Sequence, residues 1–321
     1  MTDGNFDAAN RATQIWNRLN SPPLPEDEVR RTVASVAKRD AAQRQADAEM
    51  QDGLPVVDGY QLAAELESAK PREGLSVDAP GLNTVGGLVA GDMIVIAGRP
   101  GGGKTTWACQ MATLACLDGG IPTLILSCEL TKIQWGWWMA AGLLHKPVDS
   151  LIPLPGKFLD SVRRSPIRVS EAGAPSIAEI ERTIRSFPGV RLVVLDHIGK
   201  VRGGRLENRN LEVGDVARAM KALAKDLDFT ALVLCQMNRG IEGRLTTKPR
   251  LSDLRESGDI EQEADSVGFL YPAKLQKDVC DGMRRVKLTW EKNRHGEPKT
   301  WSLLMSGADH EFTVEALGMT A

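Results

Sequence analysis

The segment VIAGRPGGGKTTWACQMA, Val95 to Ala112, sets four glycines and a lysine between an apolar run and a helix-like run. Its spacing fits G-x-x-x-x-G-K-[ST] through Gly98, Gly103, Lys104 and Thr105, with Arg99, Pro100, Gly101, Gly102 and Thr106 completing the loop. Glycines let the backbone approach phosphates closely, so that its N–H groups and the start of the next helix face the negative charge. Lys104 is expected to bridge the β- and γ-phosphates of ATP, and Thr105 to hold Mg²⁺ through its hydroxyl. A glycine-rich surface turn is the bland alternative. The strand-like run before the loop and the helical run Thr105 to Leu117 after it argue against that.

From about Asp78 apolar runs alternate with helix-length segments, the mark of a parallel sheet with crossovers. Strands are expected at Met93–Ala97, Thr123–Ser127, Leu192–Leu195, Ala231–Cys235 and Val267–Tyr271. A helix is expected over Leu211–Leu227, with Val216, Met220, Leu223 and Leu227 on its apolar face and Arg218, Lys221 and Lys225 turned away. After Asp281 the chain alternates and turns at His295 to Pro298, which predicts a hairpin. Ligands of such sheets collect at the C-terminal strand ends. Three polar residues stand there. Asp196 ends LVVLD and suits a metal shell; Glu129 follows LILSC and suits the activation of a water; Gln236 ends the next strand, where an amide can sense the γ-phosphate.

The 321 residues allow one large α/β core and a small extra module. Residues 1–48 read as a small helical module, with helices expected at Ala8–Leu19 and from Pro25 onward, the latter carrying Val29, Val33 and Val36 as a narrow stripe. Residues 49–76 read as a linker around a short helix, Tyr60–Ala69, and residues 77–321 as the large domain. No apolar run approaches the roughly 20 residues of a membrane span. The first residues lack the basic start and apolar block of a secretion signal, so the cytoplasm is the expected compartment. The five cysteines, Cys109, Cys116, Cys128, Cys235 and Cys280, have no metal-ligand spacing and are expected to be reduced and buried. Formal net charge is −2, so any nucleic-acid binding needs a local basic surface.

These residues resemble the motor domain of the DnaB family of replicative DNA helicases from about Gly81 to Phe312. The landmarks are LNTVGGLVAGDMIVIAGRPGGGKTT, LSCELTKIQ, LVVLDHI, ENRNLEVGDVARAMKALAKDL, LCQMNRGIEGR, PRLSDLRESGDIEQEADSVGFLY and WEKNRHG. The resemblance implies a RecA-like core, a ring of six subunits, ATP hydrolysis at subunit interfaces and 5′–3′ movement along single-stranded DNA. It is imperfect at three places. The family's large N-terminal helical domain does not precede the motor in this sequence, Trp138 stands where the family often has arginine, and His197 and Gly199 replace the common tyrosine and glutamine. NSPPLPEDEVRRTVASVAKR weakly resembles a helical module at the C-terminal side of primase domains, which points to primase, loader or other replication proteins as partners.

A ring would concentrate two basic loops in its bore. The first carries Lys200, Arg202, Arg205 and Arg209; the second carries Arg239, Arg244, Lys248, Arg250 and Arg255. The resemblance assigns DNA phosphates to Arg255, Glu256 and Gly258, where backbone N–H groups bind without reading bases. Lys292 and Arg294 alternate along a strand and are expected to act in trans on a neighbour's γ-phosphate. The tryptophans of IQWGWWMAAGLL are expected in helix-core or subunit packing rather than against DNA bases. Two other readings are a RecA-type ATPase of repair without processive unwinding and a non-hydrolysing loader partner.

Overall fold

The computed structural model describes residues 13, 14, 17, 18, 22–49, 59–68, 74–203, 209–238, 248–254, 257–273 and 282–315. The chain divides into two compact units, Met1–Pro71 and Arg72–Ala321. In the first, α1 spans Glu26–Glu49 and α2 spans Gly59–Ser68. Glu26, Asp27 and Glu28 fill the first turn of α1, where the helix dipole favours carboxylates. Along the expected stripe Val29 is buried, Val33 half-buried and Val36 exposed, so the stripe is shorter than its spacing suggests. The helix expected at Ala8–Leu19 lies almost wholly outside the described residues.

The second unit is built on β1 (Met93–Gly98), β2 (Thr123–Ser127), β3 (Ile167–Glu171), β4 (Leu192–Asp196), β5 (Thr230–Gln236), β6 (Ser266–Pro272), β7 (Met283–Asn293), β8 (Thr300–Ser306) and β9 (Glu311–Val314). Among the described residues these form one sheet in the order β3-β2-β4-β5-β1-β6-β7-β8-β9. Pairing is parallel from β3 to β6 and antiparallel from β6 to β9. The five expected strands and the hairpin are present, each within about two residues of its expected bounds. Two strands escaped the sequence reading. β3 is a half-exposed edge strand carrying Arg168 and Glu171, and β9 has four residues, so neither shows a sustained apolar pattern.

Helices cover both faces: α3 (Lys104–Thr113), α4 (Lys132–Leu144) and α5 (Gly156–Arg164), then α6 (Ile177–Arg185), α7 (Arg209–Asp226) and α8 (Ser257–Glu263). Strand alternation feeds two cores. Ile94 and Ile96 of β1 join Trp107, Met111 and Trp135 of α3 and α4 on one face, whereas Met93, Val95 and Ala97 join Ile180, Val216 and Met220 of α6 and α7 on the other. Among the described residues no helix is long and apolar enough to cross a membrane.

One helix residue departs from its expected face. Lys221 of α7 is 6% exposed, not turned to solvent. Its ammonium donates to the Gly91 carbonyl at 2.7 Å and pairs with Asp265, whose carboxylate also accepts the Met93 N–H at 2.8 Å. Charge satisfaction, rather than side-chain polarity, decides which way this residue points. Asp265→Ala removes the counter-charge and leaves a buried ammonium, so we expect a loss of about 3–5 kcal/mol in chemical denaturation. A loss below about 1 kcal/mol would refute that role for the pair.

Candidate nucleotide site

The glycine-rich loop turns from β1 into α3 at the C-terminal edge of the sheet, beside the ends of β5 and β6. Gly103 has φ +91°, and a Cβ there would lie 2.7 Å from Met305 Sδ and from Phe312 Cζ, so backbone sterics and the β8–β9 hairpin both demand glycine. Lys104 is buried, and its Nζ donates to the carbonyls of Gly98 at 3.0 Å and Arg99 at 3.1 Å. Burial lowers its pKa, opposed chiefly by the negative charge of Asp196.

Asp196 ends β4 and is 1% exposed. Burial lifts its carboxyl to about 6, while a hydrogen bond from Thr105 and the charge of Lys104 act in the opposite direction. One oxygen, Oδ2, is buried with no hydrogen-bond partner. A buried carboxylate oxygen left without a donor costs free energy unless something positive meets it. Among the described residues no three His, Cys, Asp or Glu converge as a self-sufficient metal site.

Glu129 follows β2, whose Ser127 pairs with Asp196. Thr131 and Gln134 then form a capping box that starts α4. The residue beside Glu129 is one that sequence reasoning recorded only as a departure from its family. His197 Nδ1 accepts the Gly199 N–H at 3.0 Å, so in the neutral ring the proton sits on Nε2. That nitrogen donates to Glu129 Oε1 at 3.2 Å; the Gln236 amide nitrogen, also 3.2 Å away, is itself a donor and makes no hydrogen bond to the protonated Nε2. Burial lowers the pKa of His197, against the charge of Glu129, and favours the neutral form. A Cβ at position 199 would lie 2.9 Å from His197 Cε1, so histidine and glycine here depend on each other.

Lys104, Glu129 and Gln236 border a cavity of about 410 Å³, within the range of small-molecule sites. Its lining includes Gly101, Lys104, Thr105, Glu129 and Gln236, together with Trp138, Arg284, Met305 and His310, which the sequence reading had not placed there. Arg284, at the start of β7, donates to the Gly101 carbonyl at 3.4 Å. Only sheet register brings residues so distant in sequence to this loop, so the sequence carried no local signal for it.

The cationic residues distribute differently. Lys292 and Arg294 lie toward the N-terminal end of β6, because β7 runs antiparallel to it with Lys292 opposite Val267. Gly98 pairs with Leu270, so the two cations stand on the order of 10–15 Å along the strands from their own phosphate loop. Both have partners within the chain: Lys292 Nζ donates to the Glu261 carbonyl at 2.6 Å, and Arg294 pairs with Asp265 at 2.8 Å. Arg202, on the surface, also has partners within the chain, donating to Ala174 O at 2.9 Å and reaching Glu179 at 3.4 Å. Lys200 and Gly258 are exposed, and Lys248 pairs with Glu291 at 2.7 Å. Arg205, Arg239, Arg244, Arg255 and Glu256 lie outside the described residues.

A P-loop opening onto the C-terminal edge of this sheet, with an acid ending the strand two places away, defines a RecA-like nucleotide-binding core. Comparison with known proteins agrees. Residues 74–313 match the DnaB-like helicase C terminal domain, and residues 6–42 match Primase C terminal 1. The chain belongs to the DnaB-like helicase C-terminal domain family. It is 29% identical over 287 residues to the replicative DNA helicase DnaB of Leifsonia xyli, covering 82% of this chain and 62% of that protein. It thus spans less than two thirds of that relative. A solved DnaB-like replicative helicase, described with its interactions with primase, superposes with TM-score 0.69 at 22% identity, covering 91% of this chain and 79% of that one. A KaiC-like protein from Pyrococcus horikoshii superposes at 0.57 and 17% identity, covering 77% of this chain and 100% of the other.

The raised Asp196 pKa has a sign that can be measured. The folded state holds this proton more tightly than the unfolded chain, so Asp196 costs stability as pH rises through about 6. Asp196→Asn is therefore expected to stabilise the ligand-free protein at pH 8 by about 1–3 kcal/mol, with the gain vanishing near pH 4. Thermal unfolding at the two pH values checks this; a variant less stable than the parent at pH 8 would contradict it.

Proposed function

We propose that the chain is an ATP-driven motor that moves along single-stranded DNA, 5′ to 3′, and unwinds duplex as a ring of six copies. The observation that carries this reading is the separation of machinery across the sheet: the phosphate loop, Asp196, Glu129 and Gln236 meet at one edge, while Lys292 and Arg294 are held toward the other, out of reach of their own site. A neighbouring copy offers these cations a phosphate. Replicative relatives disfavour the RecA-type repair alternative.

In this reading Lys104 exchanges its two carbonyl partners for phosphate oxygens when nucleotide enters. The orphaned Asp196 oxygen and the Thr105 hydroxyl are the groups that would hold a divalent cation. Mg²⁺ bound there supplies charge neutralisation on the phosphates. Glu129 orients and deprotonates the attacking water. The Nε2–H of His197 holds the Glu129 carboxylate, and the Gln236 amide at the end of β5 links loss of the γ-phosphate to the loop that follows. Lys200, Arg239, Arg244, Arg255, Glu256 and Gly258 belong to the loops assigned to DNA, with Arg202 tied to Glu179 until DNA competes for it. Residues 6–42 are assigned to contact with a primase or another replication protein.

Glu129→Gln is expected to leave ATP binding within about threefold while cutting DNA-stimulated hydrolysis at least about 100-fold. Near-normal turnover would overturn the assignment of the base. His197→Ala should lower kcat by about tenfold or more with KM for ATP little changed, because it loosens Glu129 without touching phosphate. Forked-duplex unwinding with the intact chain, alongside native mass measurement with an ATP analogue and oligonucleotide, tests the motor itself. A monomer that hydrolyses ATP at full rate regardless of oligonucleotide would exclude it.

A further inference from the structure

The phosphate end of the cavity accounts for Gly101, Lys104, Thr105 and Glu129, yet the cavity continues beyond them. The remaining lining is Trp138 on α4 and the β8–β9 turn, Gly307 and His310, with Met305 against Gly103 of the loop. Trp138 and His310 are stacked, ring centroids 4.0 Å apart and planes 16° from parallel. At that spacing no third ring fits between them, so the pair acts as one wall.

The wall is fixed from behind. His145 Nδ1 pairs with Glu311 at 2.8 Å, and the Gln110 amide bonds both the N–H and the carbonyl of Phe312 at 2.9 Å. A second cavity of about 160 Å³ shares Trp138 and His310 with the nucleotide pocket, so the pair is a partition with space on each side. Trp138 packs against the hydrophobic core with part of its surface and leaves the rest to the two cavities. Trp135, three residues earlier on the same helix, is fully buried, whereas Trp138 is only half-buried. Burial lowers the pKa of His310, which keeps the ring neutral and its face apolar.

A phosphate-binding loop and a preformed aromatic face lining one pocket match the two ends of a nucleotide. Resting on the reading of this pocket as a nucleoside-triphosphate site, we propose that the Trp138–His310 wall seats the base, and that stacking selects purine over pyrimidine triphosphates. Selection of this kind follows ring area rather than base-edge hydrogen bonds, because every base has a π-face and purines have the larger one.

Binding of ATP, CTP and inorganic tripolyphosphate to the full chain in magnesium buffer, without DNA, tests this by calorimetry. Trp138→Ala should weaken ATP about tenfold or more, reduce the preference for ATP over CTP, and leave tripolyphosphate within about twofold, whereas Trp138→Phe should keep most of the ATP affinity. Unchanged ATP affinity in Trp138→Ala, or equal weakening of ATP and tripolyphosphate, would overturn the proposal. Parent protein that binds ATP in a Trp138-dependent way but shows no DNA-stimulated hydrolysis upholds the wall and defeats the motor. Parent protein that binds none of the three probes defeats both.

Discussion

Parallel hydrogen-bonded register across β2, β4, β5, β1 and β6 is what the whole candidate nucleotide site depends on. Gly98 lies beside Gln236 on one side and Leu270 on the other, and Ser127 lies beside Asp196. A slip of one residue would turn each strand's inward set outward, because side chains alternate with period two. Asp196 would then enter a core and Leu195 would face the phosphates. Such slips are opposed by burial on both faces: β1, β2 and β4 are buried along their whole length. The helices that cover those faces therefore hold the site in register as well as the fold together.

The nucleotide edge is also where stability is given up. Lys104 and Asp196 are both buried, each with its pKa moved against its charged form, and one Asp196 oxygen has no partner at all. The buried Lys221–Asp265 pair, by contrast, is satisfied, with added backbone bonds. The contrast separates a charge that serves packing from one that awaits a ligand. The Asp265 carboxylate joins the two regions in another way, since it also anchors Arg294. The cation assigned to a neighbouring site is thus tied to the interior of its own subunit, which limits how far it can wander.

His197 and Gly199 show how a local change can be absorbed without loss of the site. The imidazole occupies the space between Glu129 and Gln236, and the missing Cβ two residues later makes room for it. Trp138 illustrates the opposite case. A substitution on one helix turn builds a surface only because the β8–β9 turn delivers His310 to meet it.

Much of this was readable from the chain because the signals are local. The P-loop spacing, the apolar runs ending in Asp196 and before Glu129, and the alternation around His295 each lie within a few residues, and backbone preference acts at that range. Other features depend on contacts between residues far apart. Arg284 meets Gly101 across 183 positions, Lys221 finds Asp265 across 44, and Arg202 bends back 28 positions to Ala174. No periodicity encodes such pairings, since they follow from which strands become neighbours. The chain alone therefore dictates a glycine-rich loop on a parallel sheet, whereas packing decides which cations are tied down within the chain and which ring meets Trp138. The reason is that side-chain pairing energies exist only once the sheet order has brought the partners within a few ångströms.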